Sequence, residues 1–162
     1  MALPTETTGY TYGWSPNDFI QNFIAEGSDN RGGADKGAME GKLSILEGDV
    51  VQLGTGFRQV KAYDGDAGLT YPVIGVALSD AVNGKLVPIS CGPIVKCRVG
   101  TAVTRGNFVS TENAASADGK IEPVTPTGGG TLQGMLGIAL NGGDADDIIP
   151  ILMKGSGITF VG

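Results

Sequence analysis

The chain contains no histidine. That removes the side chain most often used as a general base near neutral pH, and the commonest zinc ligand. Its serines and threonines are left without their usual activating partner. Cysteine is scarce as well: Cys91 and Cys97, in "CGPIVKC", are the two present. A zinc site would need closer pairing and more ligands. The pair reads either as two free, buried thiols or as a local disulfide whose geometry Gly92-Pro93 leaves open. No apolar run reaches the roughly 18 residues of a membrane span. The opening "MALPTETTGY" has no basic region and no long apolar segment, so no secretory leader is expected. Charged residues make up only 17%, with a net charge of −6 and a pI near 4.5. An acidic chain lacks the positive field that attracts phosphates, which argues against nucleic acid as a partner.

Glycine is abundant, with 28 in 162 residues. Each would cost a helix about 1 kcal/mol relative to alanine, so the composition suits an all-β chain rich in turns. A chain of this length buries roughly 70% of its unfolded surface, enough for a real core.

The sequence also repeats itself. "IGVALSDAVNGKLVPI" (74–89) and "LGIALNGGDADDIIPI" (136–151) align without a gap at an offset of 62. Gly75, Ala77, Leu78, Pro88 and Ile89 recur as Gly137, Ala139, Leu140, Pro150 and Ile151, while the turn between the runs varies. Identity in the apolar runs and freedom in the turn mark a repeated structural unit rather than a catalytic motif. The expected fold is a compact β-barrel or sandwich-like body over 43–162. It is built from two similar β units of about 60 residues and about five strands each, 43–104 and 105–162. "GDVVQLG", "FRQVKAY", "PVIGVAL", "LVPI" and "PIVKCRV" supply the strands of the first unit. Asn83-Gly84 is a turn signal, and Pro88, which cannot donate to a ladder, places its strand at an edge or a bulge. In "PIVKCRV", Val95, Cys97 and Val99 alternate with Ile94, Lys96 and Arg98. "RGNFVST" echoes "EGDVVQL" at the start of the second unit, followed by "KIEPV", "GMLGIAL", "DDIIPILM" and "GITFVG".

Residues 1–42 differ in character and read as an N-terminal arm. Tyr10, Tyr12, Trp14, Phe19 and Phe23 are half of the ten aromatics, concentrated in a quarter of the chain. A short helix is expected over about 16–26, with Ser15 as N-cap, Pro16 at the first helical position and Gly27 as the stop. Phe19, Ile20, Phe23 and Ile24 would form its apolar stripe. "GSDNRGGADKGAMEG" then reads as a flexible connector. Two uses of the arm stand open. It folds back onto the chain's own core, or Tyr10, Tyr12, Trp14, Phe19, Ile20 and Phe23 bind a partner as aromatic anchors on a segment able to add to a sheet edge.

Other candidate sites dissolve on inspection. Asp64 and Asp66, and Asp144, Asp146 and Asp147, invite a calcium reading. However, the twelfth position counted from Asp64 is Gly75 rather than a carboxylate, and acidic β-turns are common in their own right. "GTG" and "TGGGTLQG" lack the Lys-Ser/Thr that would make them phosphate cradles. No catalytic residue, metal or cofactor is implied.

The segments "EGDVVQL", "PVIGVALSDAVNGKLVPISCG", "TRGNFVST" and "GMLGIALNGGDADDIIPILMKG", spanning about 43–155, resemble the small capsid decoration, or cement, proteins of tailed bacteriophages. Members of that group often read Gly-Asp-Val-Val, then Ile-Gly-Val-Ala, then a β run and a second Gly-Asp-like start, here Gly106-Asn107. The resemblance implies a non-enzymatic virion protein, made in the host cytoplasm and seated on the outer surface of the head. It implies the major capsid protein as partner and self-association as a trimer. The alternatives are another virion component (a fibre base or an accessory capsid domain) and a carbohydrate-binding β module.

Overall fold

A computed structural model of the chain describes residues 20–27, 43–63, 73–111, 119–124 and 132–160. Among these the secondary structure is all β: β1 (Ile20–Ala25), β2 (Leu43–Ile45), β3 (Val50–Leu53), β4 (Gln59–Ala62), β5 (Val73–Ala77), β6 (Ala81–Val82), β7 (Leu86–Ser90), β8 (Ile94–Arg98), β9 (Phe108–Thr111), β10 (Ile121–Pro123), β11 (Leu132–Ala139) and β12 (Ile148–Phe160). Strands β1-β4-β3-β5-β7 close into a barrel. A second sheet runs β10-β9-β11-β12-β8, and β2 pairs with β6.

The helix expected over about 16–26 is not formed where the structure describes it. Residues 16–19 lie outside the described residues, and Ile20–Ala25 is a strand. It pairs antiparallel with β7, from Ile20↔Ser90 to Ile24↔Leu86, and parallel with β4 at Ile24↔Gln59 and Ala25↔Val60. The backbone groups of β4 and β7 need a partner to close the barrel. Supplying one outweighs the weak local preference of "IQNFIA" for a helix.

The two sheets are the same structure twice. Both units order their strands alike: β1 corresponds to β8, β3 to β9, β4 to β10, β5 to β11 and β7 to β12. The hydrogen bonds repeat as well. Gly48 N–H donates to Ala77 C=O at 2.9 Å, and Gly106 N–H to Ala139 C=O at 2.8 Å. Leu46 N–H donates to Asp49 Oδ2 at 2.7 Å, and Thr104 N–H to Asn107 Oδ1 at 2.8 Å. Leu78 N–H reaches Pro88 C=O and Leu140 N–H reaches Pro150 C=O, each at 2.9 Å. Gly84 N–H donates to Ala25 C=O and Asp146 N–H to Val99 C=O, each at 2.8 Å. Gly84 (φ 80) and Asp146 (φ 71) share the left-handed turn position. Asp there is tolerable because its short polar side chain can bond locally. Even the small β2–β6 pair has its counterpart, the bridge between Val103 and Gly143. By this correspondence each unit opens with a strand that precedes its Gly-Asp/Asn turn: β1 in the first unit and β8 in the second.

The glycines that drew attention to the repeat are required by close packing. A Cβ on Gly75 would stand 2.5 Å from Ile89 Cγ2 and 2.6 Å from Ser90 O. One on Gly137 would collide with Leu152 O and lie 2.9 Å from Ile151 Cγ2. Pro88 does not mark a sheet edge, since β7 lies between β5 and β1. Its carbonyl accepts from Leu78, so the missing N–H faces the point where β5 has ended.

The units differ at one seam, besides the longer β11–β12 hairpin of the second. In the first, the seam between β1 and β4 closes directly: Ile24 N–H donates to Arg58 C=O at 2.8 Å and Glu26 N–H to Val60 C=O at 2.7 Å. In the second, β8 and β10 meet at the single parallel bridge Val99↔Ile121. Beside it the first unit's Gly48–Val50 turn enters the seam. Arg98 N–H donates to Gly48 C=O at 2.8 Å, and Val50 N–H to Gly119 C=O at 2.7 Å. Gly119 N–H in turn reaches Tyr63 C=O at 2.9 Å. The Arg98 guanidinium donates to Glu47 C=O at 2.9 Å, and its Nε lies 3.9 Å from Asp49 Oδ1. Val50 and Val76 join the buried core of the second unit, around Val99, Val109, Ile121, Ile149 and Ile151. The first barrel has its own core of Ala25, Ile45, Val51, Val60, Ala77, Ala81, Val87 and Ile89.

Candidate interaction surface

Of the partner-binding residues expected from the sequence, Tyr10, Tyr12, Trp14 and Phe19 lie outside the described residues. Ile20 and Phe23 stand on β1, both half-buried. Phe23 packs against the first barrel's core. A strand sends Phe23 and Ile24 to opposite sides, so the apolar stripe expected of a helix is split.

The reactive groups are few and quiet. Both cysteines are free. Cys97 is buried, and burial pushes its thiol up to about 12. Cys91 is exposed, not buried as the sequence suggested. Its S–H donates to Ile74 C=O at 2.9 Å, and partial burial raises its pKa as well. A raised thiol is a poor nucleophile near neutral pH. The acidic turn is occupied by its own structure: Asp147 Oδ2 accepts from Asp144 N–H at 2.9 Å, and Asp146 Oδ1 lies 2.8 Å from Lys120 Nζ. Asp64 and Asp66 lie outside the described residues. Among the described residues, no three His, Cys, Asp or Glu side chains are grouped to hold a metal ion, and no helix is long and apolar enough to cross a membrane.

What the described surface does offer is apolar. Phe57 is 90% exposed, Leu86 69%, Ile94 58% and Phe108 50%. Phe57 sits at the tip of the β3–β4 hairpin, and that tip is braced. Glu26 accepts from Thr55 N–H at 2.6 Å and from its hydroxyl at 3.1 Å. The Arg58 guanidinium donates to Asn22 C=O at 2.9 Å. Arg58 itself is left-handed, with φ 56, a strained conformation for a non-glycine residue. These bonds fix the backbone on either side of Phe57, so the ring stands at a defined point of the surface, and large aromatics are the usual interface anchors. The sequence reading passed over Phe57 and Phe108. The signal was there in "GTGFR" and "RGNF", where an aromatic residue follows a glycine turn.

The described residues thus form a tandem of small, mostly antiparallel β units with apolar side chains exposed at several points. Comparison with protein-family models finds no match, and neither does comparison with curated proteins. Among solved structures, the fold resembles the crystal structure of the N base of head fiber gp8.5 in bacteriophage phi29. The TM-score is 0.53 at 14% identity, over 86% of this chain and 97% of that one. At such identity the likeness concerns the fold.

Proposed function

We propose that this chain is a structural, non-enzymatic virion protein that seats a β body on the outside of a phage head, in the manner of a fibre base. The observation that carries the reading is the fold shared with the phi29 head-fiber base across 97% of that chain. The site chemistry agrees with it, since a chain without histidine has few means of activating a nucleophile. The likeness to a head-fiber base moves the emphasis from a lattice-bracing cement, the first reading of the sequence, to an attachment base.

The lattice-bracing decoration protein is the second reading, favoured by the Gly-Asp-Val-Val and Ile-Gly-Val-Ala motifs. Both readings take the major capsid protein as partner. Both give Tyr10, Tyr12 and Trp14 a role as anchors on the head. In either case many weak contacts on one shell add up through multivalency.

Quantitative mass spectrometry of purified virions separates the two readings. The fibre-base reading expects the chain in the particles at well below one copy per major capsid subunit. Near-equal amounts would favour decoration. Absence from the particles rejects both.

A further inference from the structure

Asparagine followed by glycine occurs twice in the chain, as Asn83-Gly84 in the first unit and Asn141-Gly142 in the second. Such a dipeptide is chemically labile. The glycine nitrogen can attack the side-chain carbonyl carbon of the asparagine, and no Cβ on the glycine obstructs the approach. The fold treats the two sites differently. Asn83 Oδ1 accepts from Gly27 N–H at 3.2 Å, and Gly84 N–H donates to Ala25 C=O at 2.8 Å. Both reacting groups are thus held by the segment that ends β1. Asn141-Gly142 follows β11, and both residues are exposed. Among the described residues, neither the Asn141 side chain nor the Gly142 N–H has a hydrogen-bond partner. On one side Leu140 N–H bonds to Pro150 C=O at 2.9 Å, and on the other Gly143 N–H bonds to Val103 C=O at 3.0 Å. The peptide unit between them is left to solvent.

We propose that Asn141 is a site of spontaneous modification, converted by water to aspartate and isoaspartate, while the fold protects Asn83. The Gly142 nitrogen attacks Asn141 Cγ. A Cγ–N bond forms to the backbone, the Cγ–Nδ2 bond breaks, and the Gly142 N–H proton leaves with the amide nitrogen as ammonia. Water then opens the five-membered imide at either carbonyl, giving a carboxylate and a proton. Nothing is oxidised or reduced. The product adds one negative charge to the chain's −6, in the same connection as Asp144, Asp146 and Asp147. Opening at the backbone carbonyl gives isoaspartate, which lengthens the main chain by one carbon just before the Val103–Gly143 bridge. At Asn83 the same attack must wait until the contacts with Ala25 and Gly27 open, so its rate falls with the fraction of molecules open there. The reaction needs only the chain and water, so it stands apart from the functional reading.

Incubating the full-length chain at mildly alkaline pH in heavy-oxygen water, followed by tryptic peptide mass spectrometry, tests it. The label separates conversion in the folded chain from conversion during digestion. Each site falls on its own tryptic peptide, 62–85 and 121–154. In the folded chain, label should enter 121–154 at least about tenfold faster than 62–85. In concentrated urea the difference should disappear, because both sites are then open. Asn141→Gln should cut labelling of 121–154 at least about tenfold, since the ring would no longer be five-membered, and this exposed change should leave the fold intact. Equal rates at the two sites in the folded chain overturn the proposal. So does an Asn141 that stays intact in the folded chain, or an Asn141→Gln peptide labelled as fast as wild type. A difference that persists in urea overturns it as well, because local sequence and not the fold would then set the rates.

Discussion

Val50 and Phe108 hold the same position in two copies of one structural unit, pairing across to Val76 and Ile138 respectively, and their surroundings are opposite. Val50 is sealed in the junction between the units, while Phe108 faces solvent. The repeat therefore makes equivalent backbones with unequal surfaces.

Truncating the two side chains should give unequal costs. Val50→Ala is expected to lose about 2 kcal/mol through lost transfer energy and a cavity. Phe108→Ala should stay within about 1 kcal/mol in the monomer, as exposed substitutions do. Urea denaturation monitored by circular dichroism measures both, and equal losses would show that Val50 is not a junction residue.

Gly75→Ala and Gly137→Ala should each destabilise by about 1–3 kcal/mol or more, because the added methyl meets the paired strand rather than open space. Gly106→Ala is a useful contrast. Its Cβ meets nothing, and the penalty reflects only the left-handed backbone, φ 89. Thermal unfolding of the three variants ranks them. A Gly106 variant worse than both others would contradict the close-packing argument.

Gln52 is fully buried, and among the described residues neither its amide oxygen nor its amide nitrogen has a hydrogen-bond partner. An unpaired buried amide costs stability that an apolar side chain of similar length does not. Gln52→Met should therefore raise stability by about 1–2 kcal/mol, read as a higher urea midpoint at unchanged slope. A lower midpoint would mean that the amide is satisfied in solution.

Cys97 predicts a loss of stability in alkali. Its folded-state pKa is raised from 9.0 to about 12 by burial. The folded chain then holds a proton that the unfolded chain releases. This contribution is complete below the unfolded value and falls away as pH rises from there towards the folded one. The slope from this one group approaches 1.4 kcal/mol per pH unit, on the order of its full value. Comparing wild type with Cys97→Ala at about pH 8 and about pH 10.5 isolates it from other titrations. The same slope in both proteins would remove Cys97 from the account.

The β body was largely legible in the sequence, because its apolar runs are short and strand-like and β4, β7 and β8 alternate. Val95, Cys97 and Val99 are buried where Ile94 and Lys96 are exposed, as their spacing implies. The repeat was legible through Gly75 and Gly137, whose lack of a side chain is a packing requirement in both units. The strand at Ile20–Ala25 was not. Apolar residues at 20, 23 and 24 fit a helical stripe as well as a strand, and the choice depends on β4 and β7, distant in sequence. The surface was less legible still. Whether Val50 or Phe108 is covered depends on which unit docks into which seam, and the turns "EGDV" and "RGNF", alike in pattern, do not reveal that.

The proposed role, a tandem β body attached to the outside of a phage head, is tested most directly by cryo-electron microscopy of phage particles assembled with and without the gene for this chain. The account predicts density outside the shell for a small barrel joined to a second five-stranded β unit, and that this density vanishes in the deletion. Identical particles in the two preparations, or lost density inside the shell or on the tail, would contradict it.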